Sequence, residues 1–223
     1  MRIRTSSLAA FAFAGIWTLF GSLAIAPCLA ADLRVTVLDP NGKAVSNIVV
    51  VATPPILPTS LENNAQAVMD QVDKTFVPEI LAVRKGTAVI FPNSDSVAHQ
   101  VYSFSAAKRF ALPLYRGRPY PPVVFDRPGV VTLGCNIHDR MVGYIFVTDS
   151  PYFGKTNAQG IVEWHSLSAA TYRVDIWSPH LAAAEPDRAI TTSESNAAEL
   201  VIRLARQPHA APAQPTDRRI REY

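Results

Sequence analysis

The chain has 223 residues, 48% hydrophobic and only 17% charged, a composition with ample apolar surface to fill a core and unlike that of a disordered polymer. Lys and Arg number 21 against 18 Asp and Glu, and the net charge of +3 is too small to argue for nucleic acid as a partner. At roughly 100–200 residues per domain, the length allows one large domain or two small ones.

Arg2 and Arg4 precede an uncharged stretch from Thr5 to Ala31 that carries Phe11, Phe13, Trp17, Leu19, Phe20 and Ile25. A charged start, an apolar middle and a small-residue end predict a secretory signal over residues 1–30, cleaved after Ala30, and a periplasmic protein. The same run exceeds the about 20 residues that cross a bilayer, so a retained anchor is the alternative; with cleavage no membrane span remains. Cleavage also removes Arg2, Arg4 and Cys28, which lowers the net charge to +1 and leaves Cys135 as the single cysteine. A lone thiol in an oxidising compartment has no intramolecular disulfide partner, so it is an idle buried residue, a ligand or a nucleophile.

Leu33, Val35 and Val37 alternate with Arg34, Thr36 and Leu38, which predicts a strand. Asp39-Pro40-Asn41-Gly42 turns the chain toward Val45 and a second, wholly apolar strand over residues 48–52. Three prolines, Ser60 and the pair Asn63-Asn64 make residues 53–65 a connection. A weak strand signal at 68–72 is followed by strands at 76–83 and 87–91, joined by a Lys85-Gly86 turn, and the second runs into Pro92-Asn93-Ser94-Asp95. Further strands are predicted at 100–104, 123–125, 129–133 and 144–148. Beyond Asp149 an Asn157-Ala158-Gln159-Gly160 turn precedes strands at 161–164, 171–177 and 199–204. Helix-length amphipathic stretches are absent, and short strands with frequent turns predict an all-β protein built of sandwiches. Residues 31–57 and 151–205 are each too small to close a sandwich and are expected to form one discontinuous domain around an inserted domain at 66–150, with a disordered tail at 206–223.

The segment Gly134-Cys135-Asn136-Ile137-His138-Asp139-Arg140-Met141 sets a thiolate, an imidazole and a thioether at intervals of three residues, where a short loop after a strand can turn all three toward one point. His99 lies thirty-six residues earlier, at the exit of another predicted strand, and in a sandwich strands distant in sequence become neighbours. Two imidazoles and a thiolate with a weak axial thioether match the preference of copper, so His99, Cys135, His138 and Met141 are the expected ligands. Zinc has little use for a thioether, and iron–sulfur clusters need more thiolates than one. A nucleophilic Cys135 with His138 as its base would leave Met141 without a role.

Residues 66–150 resemble a cupredoxin of the plastocyanin and amicyanin superfamily, and the spacing Cys135-x-x-His138-x-x-Met141 resembles the short ligand loop of amicyanin. The resemblance implies a Greek-key β-sandwich in which His99, Cys135 and His138 are strong ligands, Met141 is axial and Asn93 braces the Cys135 loop. The mature chain further resembles plastocyanin-like periplasmic proteins labelled methylamine utilisation proteins, with outer parts similar to a carboxypeptidase-regulatory, transthyretin-like or immunoglobulin-like β-domain; nothing in these residues binds methylamine.

The expected function is that of a type 1 copper protein without enzymatic activity, an electron carrier or redox module that meets a redox partner protein. Copper storage or delivery, and a cell-envelope binding module with a secondary copper site, stay open as alternatives. The stretch from Phe104 to Phe125, with Lys108, Arg109, Arg116 and Arg118 among Phe110, Tyr115 and Tyr120, is either a docking strip or a solvated loop. His165, His180 and His209 lack ligand-like spacing and read as structural or surface residues.

Overall fold

The computed structural model describes residues 31–58, 65–117, 119–193 and 197–210, and these contain strands and turns with no helix. Accordingly, no helix of the described residues is long and apolar enough to cross a membrane. The signal reading for residues 1–30, and the tail reading from residue 211 onward, fall outside the described residues.

Strand β1 (Ala31–Leu38) buries Leu33, Val35 and Val37 on one face, as its alternation requires. The Asp39 carboxylate accepts from the N–H groups of Asn41 (2.8 Å) and Lys43 (2.9 Å), closing the turn toward β2 (Val49–Thr53). The short strands β3 (Gln66–Val68), β4 (Asp70–Val72) and β5 (Thr75–Val77) replace the single weak strand expected at 68–72 and the start of the next. The strand expected at 76–83 is divided, because Pro78 has no N–H to give to a ladder, and β6 (Ile80–Arg84) starts beyond it. Then come β7 (Thr87–Ile90), β8 (His99–Ser103), β9 (Phe110–Tyr115), β10 (Val123–Phe125) and β11 (Gly129–Cys135). The described residues continue with β12 (His138–Thr148), β13 (Tyr152–Lys155), β14 (Ile161–Leu167), β15 (Thr171–Trp177), β16 (Arg188–Thr191) and β17 (Ala198–Arg203). β9, β13 and β16 were not expected, and β12 is far longer than 144–148: His138 pairs with Cys135, Val142 and Gly143 pair with Gly134 and Leu133, and residues 139–141 fall in the register shift between them.

Four sheets are stacked, in the orders β10-β7-β3, β6-β12-β11-β8-β9, β13-β2-β15-β16 and β14-β1-β17, with β4-β5 as a separate ribbon. Between the first two lies a core that includes Phe76, Phe91, Val101, Phe125, Leu133, Cys135, Met141 and Ile145. Between the last two lies a second core, built from Leu33, Val35, Val37, Val50, Ala52, Tyr172, Val174 and Ile202 among others. The middle pair of sheets meets through Val49, Val51 and Ile80, flanked by Ala82, Tyr144, Phe146, Phe153 and Trp177. β2 explains its own uninterrupted apolar run: Val50 and Ala52 face one core and Val49 and Val51 the other, so the strand has no wet side. On β12, Met141, Ile145 and Val147 enter the first core while Tyr144 and Phe146 meet Trp177 at ring-centroid distances of 5.8 and 5.5 Å. Lys155 and His180 tie the same contact with polar bonds, Lys155 Nζ donating to the Ile80 carbonyl (2.7 Å) and His180 Nε2 meeting Glu79 Oε1 (2.9 Å).

Residues just past β17 are ordered against the stack. Gln207 Nε2 donates to Asp39 Oδ2 at 3.1 Å and the His209 N–H donates to the His180 carbonyl at 2.8 Å.

Candidate metal centre

Cys135 is the last residue of β11 and pairs directly with His138, the first of β12, so Asn136 and Ile137 alone make the connecting turn. The register shifts between Gly134 and Cys135, a local irregularity of the kind that re-aims a side chain at a sheet end. β8 lies beside β11, with Tyr102 opposite Gly134, and this neighbouring strand brings His99 to the same end of the sheet. His99, Cys135 and His138 thus converge, their ligand atoms all within 4.8 Å of one another. Cys135 Sγ stands 3.9 Å from His99 Nδ1 and 3.7 Å from His138 Nδ1, and the two Nδ1 atoms are 3.1 Å apart.

These spacings suit a single ion, since bonds of about 2.0–2.1 Å to nitrogen and about 2.3 Å to sulfur separate bound donors by roughly 3.3–3.8 Å. His99 is 0% exposed and Cys135 4%, while His138 is half-buried at the surface end of its turn. Three electron-pair donors aimed at one another, two of them shielded from solvent, are costly to bury unless a proton or a cation lies between them. Met141 is 1% exposed and belongs to the same core as Cys135, three residues along β12 from His138. It lies in the register-shifted stretch between His138 and Val142, the residues of β12 that pair with Cys135 and Gly134.

The turn ahead of β8 holds a residue that sequence reasoning passed over. Asp95 Oδ2 meets His99 Nε2 at 2.9 Å, so the carboxylate accepts the ring N–H and leaves the lone pair of Nδ1 facing the sulfur. The Asp95 carboxylate also accepts from the N–H groups of Lys74 and Ser96, each at 2.8 Å. Burial raises the Asp95 pKa, and the bonds from His99, Lys74 and Ser96 outweigh it, holding the carboxyl below its ordinary value. Nothing in the residue spacing marks this role, because Asp in a turn is most often there for the turn itself.

Asn93 is buried, yet it does not brace the Cys135 turn as the family resemblance implies. Its Nδ2 donates to the carbonyls of Val97 and Tyr115, both at 3.0 Å, and its Oδ1 accepts from the Asp95 N–H at 3.0 Å. It therefore fixes the loop that carries Asp95 and His99 against the end of β9. Tyr115 adds to this anchorage, its hydroxyl donating to the Phe91 carbonyl at 2.6 Å and accepting from Gln71 Nε2. Burial pushes the Tyr115 phenol from an ordinary 10 up to about 12. Its folded pKa lies above its unfolded one, so the stability it contributes is complete below pH 10 and is lost as pH rises toward about 12. Urea unfolding on either side of pH 10 is expected to show this fall, with a shallower slope in Tyr115→Phe.

The stretch from Phe104 to Phe125 is not a continuous strip. Lys108 pairs with Asp126 at 3.1 Å, and Phe110 turns inward against Phe91 and Phe125, with centroids 5.8 and 6.0 Å away. Arg109 and Arg116 are exposed at opposite ends of β9, and Arg118 lies outside the described residues. His165 pairs with Asp32 at 3.2 Å, and together with the contacts of His180 and His209 this leaves the three remaining histidines in structural or surface positions.

Fold and site together define an all-β protein with a largely buried His-Cys-His group able to hold a metal ion. No family model and no curated protein matches the sequence. Among solved structures, the chain is similar to a purple cupredoxin from Nitrosopumilus maritimus, with 27% identity over 38% of this chain and 100% of that one, at a TM-score of 0.33. It is similar to a mutant amicyanin in its reduced state, with 21% identity over 44% of this chain and 98% of the other, at a TM-score of 0.34. A Cu-containing nitrite reductase from Thermus scotoductus SA-01 is similar with 24% identity over 43% of this chain, at a TM-score of 0.36, and the match spans 25% of that enzyme.

Proposed function

We propose that the chain binds one copper ion, which His99 Nδ1, Cys135 Sγ and His138 Nδ1 would hold with Met141 as a weaker donor, and that it carries electrons in the periplasm after cleavage of residues 1–30. The observation that carries this reading is the convergence of the three donor atoms, two of them on buried residues. The donor set argues for copper: two imidazoles, one thiolate and a nearby thioether suit an ion that exchanges between one-electron states, whereas zinc sites close with four harder or thiolate donors. When bound, the ion supplies a one-electron couple. The chain's part is to keep the donors in place through β8, β11 and β12, to exclude water with the first core, and to leave the half-buried His138 as the edge nearest a partner. We further propose that residues 66–150 form the copper-binding domain and that residues 31–57 and 151–205 form a second, transthyretin-like domain.

Titrating the purified protein with Cu(II) tests the reading. The expected result is an intense visible thiolate-to-copper absorption that saturates at one ion per chain, with a matching paramagnetic resonance spectrum. A colourless adduct, or saturation by zinc at equal affinity, overturns it. Copper delivery is the second reading, favoured by the exposure of Ile137 (52%) at the turn between Cys135 and His138. Rapid loss of the ion to a weak chelator would select delivery over electron transfer.

A further inference from the structure

Both imidazoles present Nδ1 to the sulfur, yet their far sides differ. His99 Nε2 is bonded to the Asp95 carboxylate at 2.9 Å, whereas His138 has no carboxylate partner among the described residues. Asp95 does not depend on His99 for its place. The Lys74 N–H reaches it from the turn between β4 and β5, the Ser96 N–H closes on its other oxygen, and its own N–H is held by Asn93. The loop around it is pinned again by Ser94, whose Oγ donates to Asp70 Oδ2 at 2.7 Å. Its side chain is only 11% exposed and that of His99 0%, so little solvent screens the pair.

From this asymmetry we infer that Asp95 is a positioning and tuning residue, which fixes the proton of His99 on Nε2 and favours the more highly charged oxidation state of an ion at the centre. The second half rests on the copper reading; the first does not. A carboxylate bonded to a ring N–H moves electron density toward the opposite nitrogen and strengthens it as a donor. The dicationic state benefits more than the monocationic state, because attraction to a fixed negative charge scales with the charge of the ion. The centre therefore has one electron-rich imidazole, locked inside, and one ordinary imidazole at the surface.

The experiment uses the full mature chain and three variants, D95N, D95A and, as a charge control, D73N in the exposed turn next to Lys74. In the metal-free protein, nitrogen-resolved NMR of the imidazoles is expected to show a slowly exchanging proton on His99 Nε2 and none on Nδ1, with this preference lost in D95A. Cu(I) and Cu(II) affinities are then measured separately. D95N, which keeps an acceptor oxygen but removes the charge, is expected to lower the Cu(II)-to-Cu(I) affinity ratio about tenfold, which raises the midpoint potential by about 59 mV for a one-electron couple. D73N is expected to change the ratio by less than about twofold, as for a screened surface charge. An unchanged ratio in D95N, or an equal change in D73N, overturns the tuning role. A proton on His99 Nδ1 in the wild-type protein overturns the positioning role. Failure of the wild-type protein to bind copper at all would refute the copper reading and the tuning with it, while the metal-free NMR result would still decide positioning.

Discussion

Cys135→Ser is expected to abolish the visible absorption of the copper-loaded protein and to weaken Cu(II) binding by more than about a hundredfold, since removal of a mere outer-sphere partner already costs about 10–100-fold. The thiolate is the only donor in the His-Cys-His group able to transfer charge to the ion in the visible range, and the described residues contain no second cysteine to replace it. A serine hydroxyl fits the space left by the sulfur and can bond to either Nδ1, so the fold is expected to survive with a stability change of only about 1 kcal/mol. Competition titration and circular dichroism on the same samples separate the two effects. A visible band that persists in the variant would show that another group, and not Cys135, binds the ion.

The largest expected loss of stability comes from a position with no donor atom. Phe76 on β5 is fully buried, and its Cβ lies 2.7 Å from the place a side chain on Gly143 would occupy. The ring therefore rests directly on the backbone of β12, between the site end of that strand and its contact with the outer sheets. Phe76→Ala is expected to cost about 3–5 kcal/mol, because neither the strand backbone nor a glycine can move into the gap. That is a large share of the about 5–15 kcal/mol by which a domain is stable, and urea unfolding should show a lower midpoint with an unchanged slope. Since β12 also carries His138 and Met141, the same variant is expected to bind Cu(II) more weakly, though less so than the loss of Cys135.

Much of the architecture was legible where one face of a strand is wet. β1 announces itself by alternation, and the Asp39-Pro40-Asn41-Gly42 turn by its residue types. The strands that escaped notice lacked such signals: β9 contains Pro113, β16 opens with Arg188, and the start of β12 reads His-Asp-Arg, a polar run without alternation of which only His138 pairs with β11. The Cys135 and His138 spacing pointed to the site because a two-residue turn leaves those side chains little choice, and His99 followed from its place at a strand end. Asp95 could not be found in the same way. Whether a turn carboxylate faces solvent or an imidazole depends on contacts such as that from Lys74, which lies twenty-one residues away in sequence. Nor does periodicity name a strand's opposite number, so the apolar run that became β2 could be recognised as buried, but not as shared by two cores.

That sharing has a consequence for how far the molecule can be reduced. A party wall cannot be assigned to one house: with Val49 and Val51 seated against Ile80, and Tyr144 and Phe146 against Trp177, either half taken alone would bare an oily flank where it now has a neighbour. Trimming the chain to the metal-holding sandwich would thus yield a sticky fragment, and the outer sheets serve their companion first as its missing skin.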